Sequence, residues 1–388
     1  MDPTGPIARR FPLVARARPA CAPLAQRVAG LTRRARAAAQ DSDLAAATSV
    51  HNLSALLASD VGDHHLARAW CRDHAHIYLH ATPLPAPAAR FALEPLVNLA
   101  RLHTRAGRGH LAYELLSRLY RALKDRASVE IDGLRVPGRL TTSPEAHAEL
   151  HRWLWSALLA EGGRALASTG RWNQALLELR THKGIGRRMF DGRQIAVIAH
   201  LTQGDTTSAA RLVHDTAPGN PSEDAVTACL THLVAPSHGT DRLLLDRYHQ
   251  LPTAPGTATF DVRLGLTALD ALGHHTEAEA LARQIAARAA EDGYAARDIL
   301  QHPPCTDRLP PHQVSRLQGT VTACALGLHR LPTQAYVELQ DALTLTATVI
   351  HTALAAAPTA LTGTVSHRRL DLTHVESVLE ETDDRLTP

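Results

Sequence analysis

The most unusual chemistry in this 388-residue sequence lies in His182-Lys183-Gly184-Ile185-Gly186-Arg187-Arg188. Lys183 is one of only two lysines, the other being Lys124. Two glycines among three cations suit an anion, because Gly184 and Gly186 let backbone N–H groups converge while Lys183, Arg187 and Arg188 supply charge. The segment is therefore a candidate loop for an anion or an acidic partner. The competing reading is a turn whose basic residues complement the end of the preceding helix. It is no nucleotide loop, since no GK[ST] follows and no strand precedes it.

The 24 histidines form helical pairs at His76/His80 and His147/His151, a spacing that binds zinc once a third ligand joins. His147-Ala148-Glu149-Leu150-His151 is not the HExxH of zinc proteases, because Glu149 stands midway between the histidines and points to another helix face. No third ligand is evident, so no metal site and no cofactor is expected. No GxSxG occurs, and no cysteine shares a motif with a histidine, so no catalytic residue is assigned. Trp153 and Trp155, two apart on one helix, cannot share a face.

The elements that must position these residues show in a recurring spacing of Gly, four residues, Ala. It occurs as Gly62/Ala67, Gly107/Ala112, Gly170/Ala175, Gly204/Ala209 and Gly273/Ala278. Seven residues before each Gly stands Ala55, Ala100, Gly163, Val197 or Leu266. The glycine ends one helix in a left-handed conformation, and the alanine lets the next helix approach closely. Gly170 to Gly204 spans 34 residues and Gly204 to Gly273 spans 69, with Gly239/Leu244 as a degenerate copy between. Longer intervals hold insertions at 81–90, 127–143 and 302–312. The second contains Asp132-Gly133 between Ser128–Ile131 and Leu134–Val136, a hairpin signal and the only strands expected. Ser143-Pro144-Glu145 then opens a long helix through Ala167.

A 34-residue helix–turn–helix period with small residues at these offsets resembles the tetratricopeptide repeat, best in Ala165–Leu179 and Thr267–Ala282. The expected fold is thus all-α, an α-solenoid of such repeats over 21–357, with about six to seven helix pairs. The resemblance implies a concave groove that binds extended peptides or partner helices. In register, Asn52, Asn98, Arg101, Arg164, Gln194 and Arg263 face that groove, where amides and guanidinium groups pair with peptide backbone or carboxylates. The family's Lys/Asn carboxylate-clamping pattern is not found.

Only 4% of residues are aromatic, which suits close-packed Leu, Ala and Val helices over a β-sandwich. The dominance of arginine, alanine, proline and histidine is the usage of a GC-rich, actinobacterium-like genome, a matter of codons. Eight arginines (Arg9, Arg10, Arg16, Arg18, Arg27, Arg33, Arg34, Arg36) stand against Asp2 in the first 36 residues, a local +7, while the remainder is net −4. Residues 1–20 are read as a basic, flexible arm, the one part expected to touch nucleic acid. The tail 358–388 is acidic, with one short helix expected. Five cysteines without a CxxC, and no apolar run of membrane-spanning length, point to a reduced cytoplasmic location without membrane contact. The functional expectation is a non-catalytic scaffold that binds a protein or peptide, preferably acidic. The alternatives are a regulator working with a DNA-binding partner, or an enzyme or accessory protein with a pocket in the solenoid. A homodimer through terminal repeats is left open.

Overall fold

The computed structural model describes residues 1–356 apart from 274 and 290. The regular structure there is helical but for one two-stranded hairpin, as expected of an all-α chain. The acidic helix expected in 358–388 lies outside the described residues. The chain forms two compact units: one gathers Met1–Ala22 with Leu166–Cys324, the other Pro23–Ala165 with the described residues from Ala325 onward.

In the Pro23–Ala165 unit, helices Leu24–Asp41, Leu44–Val61, His64–Leu79, Ala86–Arg105 and Gly109–Lys124 each pack on the next. Leu44–Val61 also packs on Ala86–Arg105, and Ala86–Arg105 on Pro144–Ala157. Asp43, Asp63 and Ser143 open their helices by accepting backbone N–H groups three residues on. Helix Pro144–Ala157 runs through a π-turn, Leu158–Gly162, into Gly163–Ala167. Strands Val129–Ile131 and Leu134–Val136 pair antiparallel around Asp132 and Gly133, both at positive φ. Insertions 81–90 and 127–143 meet where Leu84 bridges Thr141, although the first is shorter than expected because its helix already begins at Ala86. The last described helix, Thr333–Ala356, packs on Leu24–Asp41 and Leu44–Val61.

In the other unit, Trp172–Thr181, Asp191–Thr202, Thr206–His214, Pro221–Val234, His238–His249, Ala258–Leu272, Ala278–Arg288 and Gly293–Leu300 follow in order. Pro303–Thr306 adds one turn inside the insertion at 302–312, and Pro311–Ala323 closes the unit. Helix pairs again pack on neighbours one and two elements along, as Pro221–Val234 does on Ala258–Leu272 and that helix on Gly293–Leu300.

The glycine–alanine spacing has a clear physical counterpart. Gly62, Gly107, Gly170, Gly204 and Gly273 all hold positive φ. Ala67, Ala112, Ala175, Ala209 and Ala278 are all buried. Gly239 departs from the pattern. It lies in the first turn of helix His238–His249, and Ser237 begins that helix with a capping box to Thr240.

The N-terminal residues are not a solvated arm. Phe11, Leu13 and Cys21 are buried, Arg10 pairs with Asp270 at 2.6 Å, and Arg16 pairs with Asp191 at 2.7 Å. Apolar side chains spaced among the arginines anchor the segment, a pattern that net charge alone conceals.

Candidate functional site

Two of the six residues expected to face a groove, Asn98 and Arg101, lie on helix Ala86–Arg105, within a longer polar stripe. Arg90, Glu94, Asn98, Arg101 and Arg105 recur every three or four residues and so form one stripe. On one side the stripe meets Leu44–Val61. Asn52 donates from Nδ2 to Glu94 at 3.1 Å, and Asn98 donates to Asn52 Oδ1 at 3.0 Å. Arg105 donates to Ser59 and Asp60, each at 2.9 Å. On the other side, Arg101 donates to Glu161 at 2.7 Å, and the Arg90 guanidinium lies 5.5 Å from the Trp153 ring centre. Residue numbers rise together across all three helices, so they run in the same direction.

Within the stripe, Arg90 donates to Glu94 at 3.1 Å and Arg101 to Asn98 at 2.9 Å. The result is a continuous chain, Arg90–Glu94–Asn52–Asn98–Arg101–Glu161. Its depth profile is uneven. The side chains of Arg90, Arg101 and Arg105 are 38%, 49% and 39% exposed, while Glu94, Glu161 and Asp60 are 24%, 17% and 2% exposed. Carboxylates lie beneath and guanidinium groups stand outward. Glu161 raises the Arg101 pKa above its ordinary value despite opposing desolvation. A guanidinium held this way has lost much of its rotamer freedom before any ligand arrives.

The remaining groove candidates fall elsewhere. Arg164 is half-buried one turn after Glu161. Arg263, in the other unit, repeats the anchored pattern with Asp298 at 2.6 Å, 38% against 13% exposed. Gln194 is fully buried and so is not a solvent-facing groove residue. Its amide is consumed by the backbone of Leu13 and Met189. Trp153 and Trp155 are both half-buried, neither being a full core residue.

The loop 182–188 does not form an open anion cradle. Lys183 takes positive φ at the helix end, and the Gly184 N–H bonds back to Leu179 at 2.7 Å. The Gly184 carbonyl oxygen lies 2.0 Å from where a Cβ on residue 192 would stand, so the loop's own oxygen faces the first turn of Asp191–Thr202. Gly186 accepts from Arg193 at 2.8 Å, and Arg188 donates through Nε to Glu223 at 2.9 Å. Buried Arg193 also donates to Leu212 and Thr216, tying the loop to the end of helix Thr206–His214. Lys183 and Arg187 remain exposed, Arg187 beside His214 and Asp215 in an open recess. The glycines serve close backbone packing, and only two of the three cations face solvent.

Among the described residues, no cluster of three or more metal-ligating side chains occurs. His302, Asp270 and Cys305 lie together, but not as a nucleophile set. His302 Nε2 faces Asp270 at 2.9 Å, and its Nδ1 accepts the Cys305 backbone N–H at 3.1 Å. Burial pushes the Cys305 thiol up to about 12, the reverse of activation. His51 and His74, by contrast, stack at 4.8 Å in the core between Leu44–Val61 and His64–Leu79. His51 Nε2, Ser54 Oγ and both nitrogens of His74 are buried there without hydrogen-bond partners.

Of the residues in this hydrogen-bonded stripe, sequence reasoning named Asn52, Asn98 and Arg101 and did not name Arg90, Glu94, Arg105, Trp153 beside Arg90, or Glu161. The three- and four-residue spacing from Arg90 to Arg105 is the signal that identifies the stripe. No helix among the described residues is long and apolar enough to cross a membrane. Compared with known proteins, the chain matches no family model, no curated protein and no solved structure.

Proposed function

We propose that the chain is a non-catalytic interaction protein whose Asn52–Asn98–Arg101 face binds a carboxylate-bearing segment of another protein. The observation that carries this reading is the depth profile: three outward guanidinium groups, each anchored by a recessed carboxylate. Anchoring lowers the entropic cost of binding, and outward N–H groups suit the oxygens of aspartate, glutamate or a chain terminus. Asn52 and Asn98, between the arginines, supply amides that read a peptide backbone. In the same reading each unit is a stack of tetratricopeptide-like hairpins. Positive-φ glycines, the buried alanines that follow them, and packing on elements one and two along support it.

The test is fluorescence anisotropy of a labelled glutamate-rich decapeptide, with the full chain and with the variant R90A/R101A/R105A. Binding that is lost in a variant of unchanged melting temperature is the expected result. A neutral decapeptide of equal length that binds as well, or a variant that binds equally, overturns the reading.

A second reading has its own observation. Arg33, Arg34 and Arg36 are exposed on helix Leu24–Asp41 and make no ion pair among the described residues. They stand among Ala29, Gly30 and Ala37, which leave them unshielded. This surface, rather than residues 1–20, is where a nucleic-acid backbone would dock in a regulatory role. Three phosphate contacts give a log–log salt slope of about −2.7 for duplex binding. A slope unchanged in R33A/R34A/R36A refutes it.

A further inference from the structure

The first 22 residues are bound by their own unit in the manner of a peptide ligand. Pro6–Arg10 makes a short helix that packs on Ala258–Leu272, and residues 12–23 hold no helix or strand, yet the segment is buried at Phe11, Pro12, Leu13 and Cys21. Its contacts are made chiefly by side chains and helix ends. Gln194 reads Leu13 in both directions, accepting its N–H at 2.6 Å and donating to its carbonyl at 2.7 Å. Asp270 takes Arg10 and Asp191 takes Arg16. Arg18 reaches Thr259 and stacks 4.7 Å from the Tyr294 ring centre. Trp172 donates to the Pro3 carbonyl at 2.8 Å, and the Gly293 N–H to that of Cys21 at 3.0 Å.

The receiving surface is cut to the passing backbone. Gly256 sits at positive φ where a Cβ would stand 2.5 Å from the Arg18 carbonyl oxygen. At Gly170 a Cβ would meet Thr4 at 2.8 Å. An amide that grips one residue's backbone, carboxylates that take arginines, and glycines that admit main chain make up a recognition site for extended peptide. This face lies on helices Asp191–Thr202, Ala258–Leu272 and Gly293–Leu300, apart from the Asn52–Arg101 stripe, and does not depend on the function proposed for that stripe.

We infer that this face is a binding site for an arginine-bearing peptide segment, one helical turn followed by extended chain, held closed in cis by the chain's own residues 1–22. A partner segment with arginines around a short apolar core takes the same contacts once residues 1–22 are displaced. The covalent link gives the cis segment a large effective concentration, so trans binding is suppressed until the cis contacts weaken.

The probe is a fluorescein-labelled peptide of residues 6–21 with Cys21→Ser, titrated with the full chain by anisotropy. The variant R10E/R16E places like charges against Asp270 and Asp191 and loosens the cis segment. It should bind the peptide roughly tenfold or more tightly than the unaltered chain. Adding Q194A should abolish the gain, and a peptide with its arginines changed to glutamate should not bind. A folded R10E/R16E that binds no better than the unaltered chain overturns the inference. So does equal binding of the glutamate peptide. If R10E/R16E does not fold, the unaltered chain decides the matter through hydrogen exchange at the Leu13 amide, which Gln194 protects. Saturating peptide should accelerate that exchange at least tenfold, and unchanged exchange refutes the proposal.

Discussion

Lowering the pH should weaken the Pro23–Ala165 unit through His51 and His74. The two rings stack between Leu44–Val61 and His64–Leu79, and among the described residues none pairs with them as a carboxylate acceptor. Burial lowers the His51 pKa from 6.5 to about 4, and burial together with the neighbouring His51 holds His74 well below its ordinary value. The folded-state values are depressed, so on acidification the unfolded chain takes up protons first. This contribution to stability is present in full above about pH 7 and is lost as the pH falls through 6.5 toward 4. For His51 alone the loss is about 2 kcal/mol at pH 5 and about 3 kcal/mol once both states are protonated. Urea titrations followed by tryptophan fluorescence suit the measurement, because Trp70, Trp153 and Trp155 lie in this unit and only Trp172 in the other. His51→Phe retains a ring against His74 and removes one titrating group. Its denaturation midpoint should fall distinctly less between pH 7.5 and 5 than that of the unaltered chain. Equal pH dependence in the two proteins would refute the reasoning, since other histidines with depressed pKa values, such as His103 and His151, are common to both.

Gly256→Ala forces a Cβ against the Arg18 backbone at positive φ, so it should cost about 1–3 kcal/mol. Faster tryptic cleavage after Arg16 would report the displaced segment. Glu161→Gln should leave the melting temperature within about 2 °C, because a part-exposed pair contributes at most about 1 kcal/mol. The same substitution should weaken capture of the glutamate-rich peptide by freeing Arg101 to disorder. All five cysteines are buried, and burial pushes the Cys71, Cys229 and Cys305 thiols up to about 12. A thiol reagent at pH 8 should therefore label the native chain slowly and the urea-unfolded chain completely. Asp132→Asn should be nearly neutral. It removes the pair with exposed Arg68 but keeps a residue tolerant of positive φ, whereas Asp132→Val should cost about 1–2 kcal/mol, read as a loss of melting temperature.

Much of the helical framework was legible because glycine and alanine report local geometry. A positive φ is cheapest for glycine, and a buried helix crossing rewards alanine, so the five Gly/Ala pairs mark five turns. The Asp132-Gly133 hairpin was legible for the same reason. Gly239 misled because a glycine in a first helical turn has the same spacing without the same backbone conformation. The polar stripe was half-legible. Asn52, Asn98 and Arg101 followed from the expected repeat register, but a register places positions along a helix and says nothing of the acid beneath them. Glu161 is distant in sequence and reaches Arg101 only through packing of the long helix.

The N-terminal segment was misread because charge was counted without partners. Eight arginines against one acid suggest a free polyelectrolyte only if the carboxylates elsewhere are out of reach. Here Asp270, Asp191 and Asp60 take Arg10, Arg16 and Arg27 across sequence separations that no local pattern encodes. Beyond the anchored segment, those of the eight that are exposed without an ion pair among the described residues are Arg33, Arg34 and Arg36, on a regular helix with small neighbours. The same accounting separates the loop at 182–188 from the Asn52–Arg101 stripe. Arg188 is spent on Glu223, and the loop's backbone is turned inward. The stripe's arginines also have carboxylate partners, but those partners sit below them and leave the outer N–H groups facing solvent. Pairing therefore does not by itself disqualify a cation from binding. The depth of its partner decides whether the pair closes a surface or prepares one.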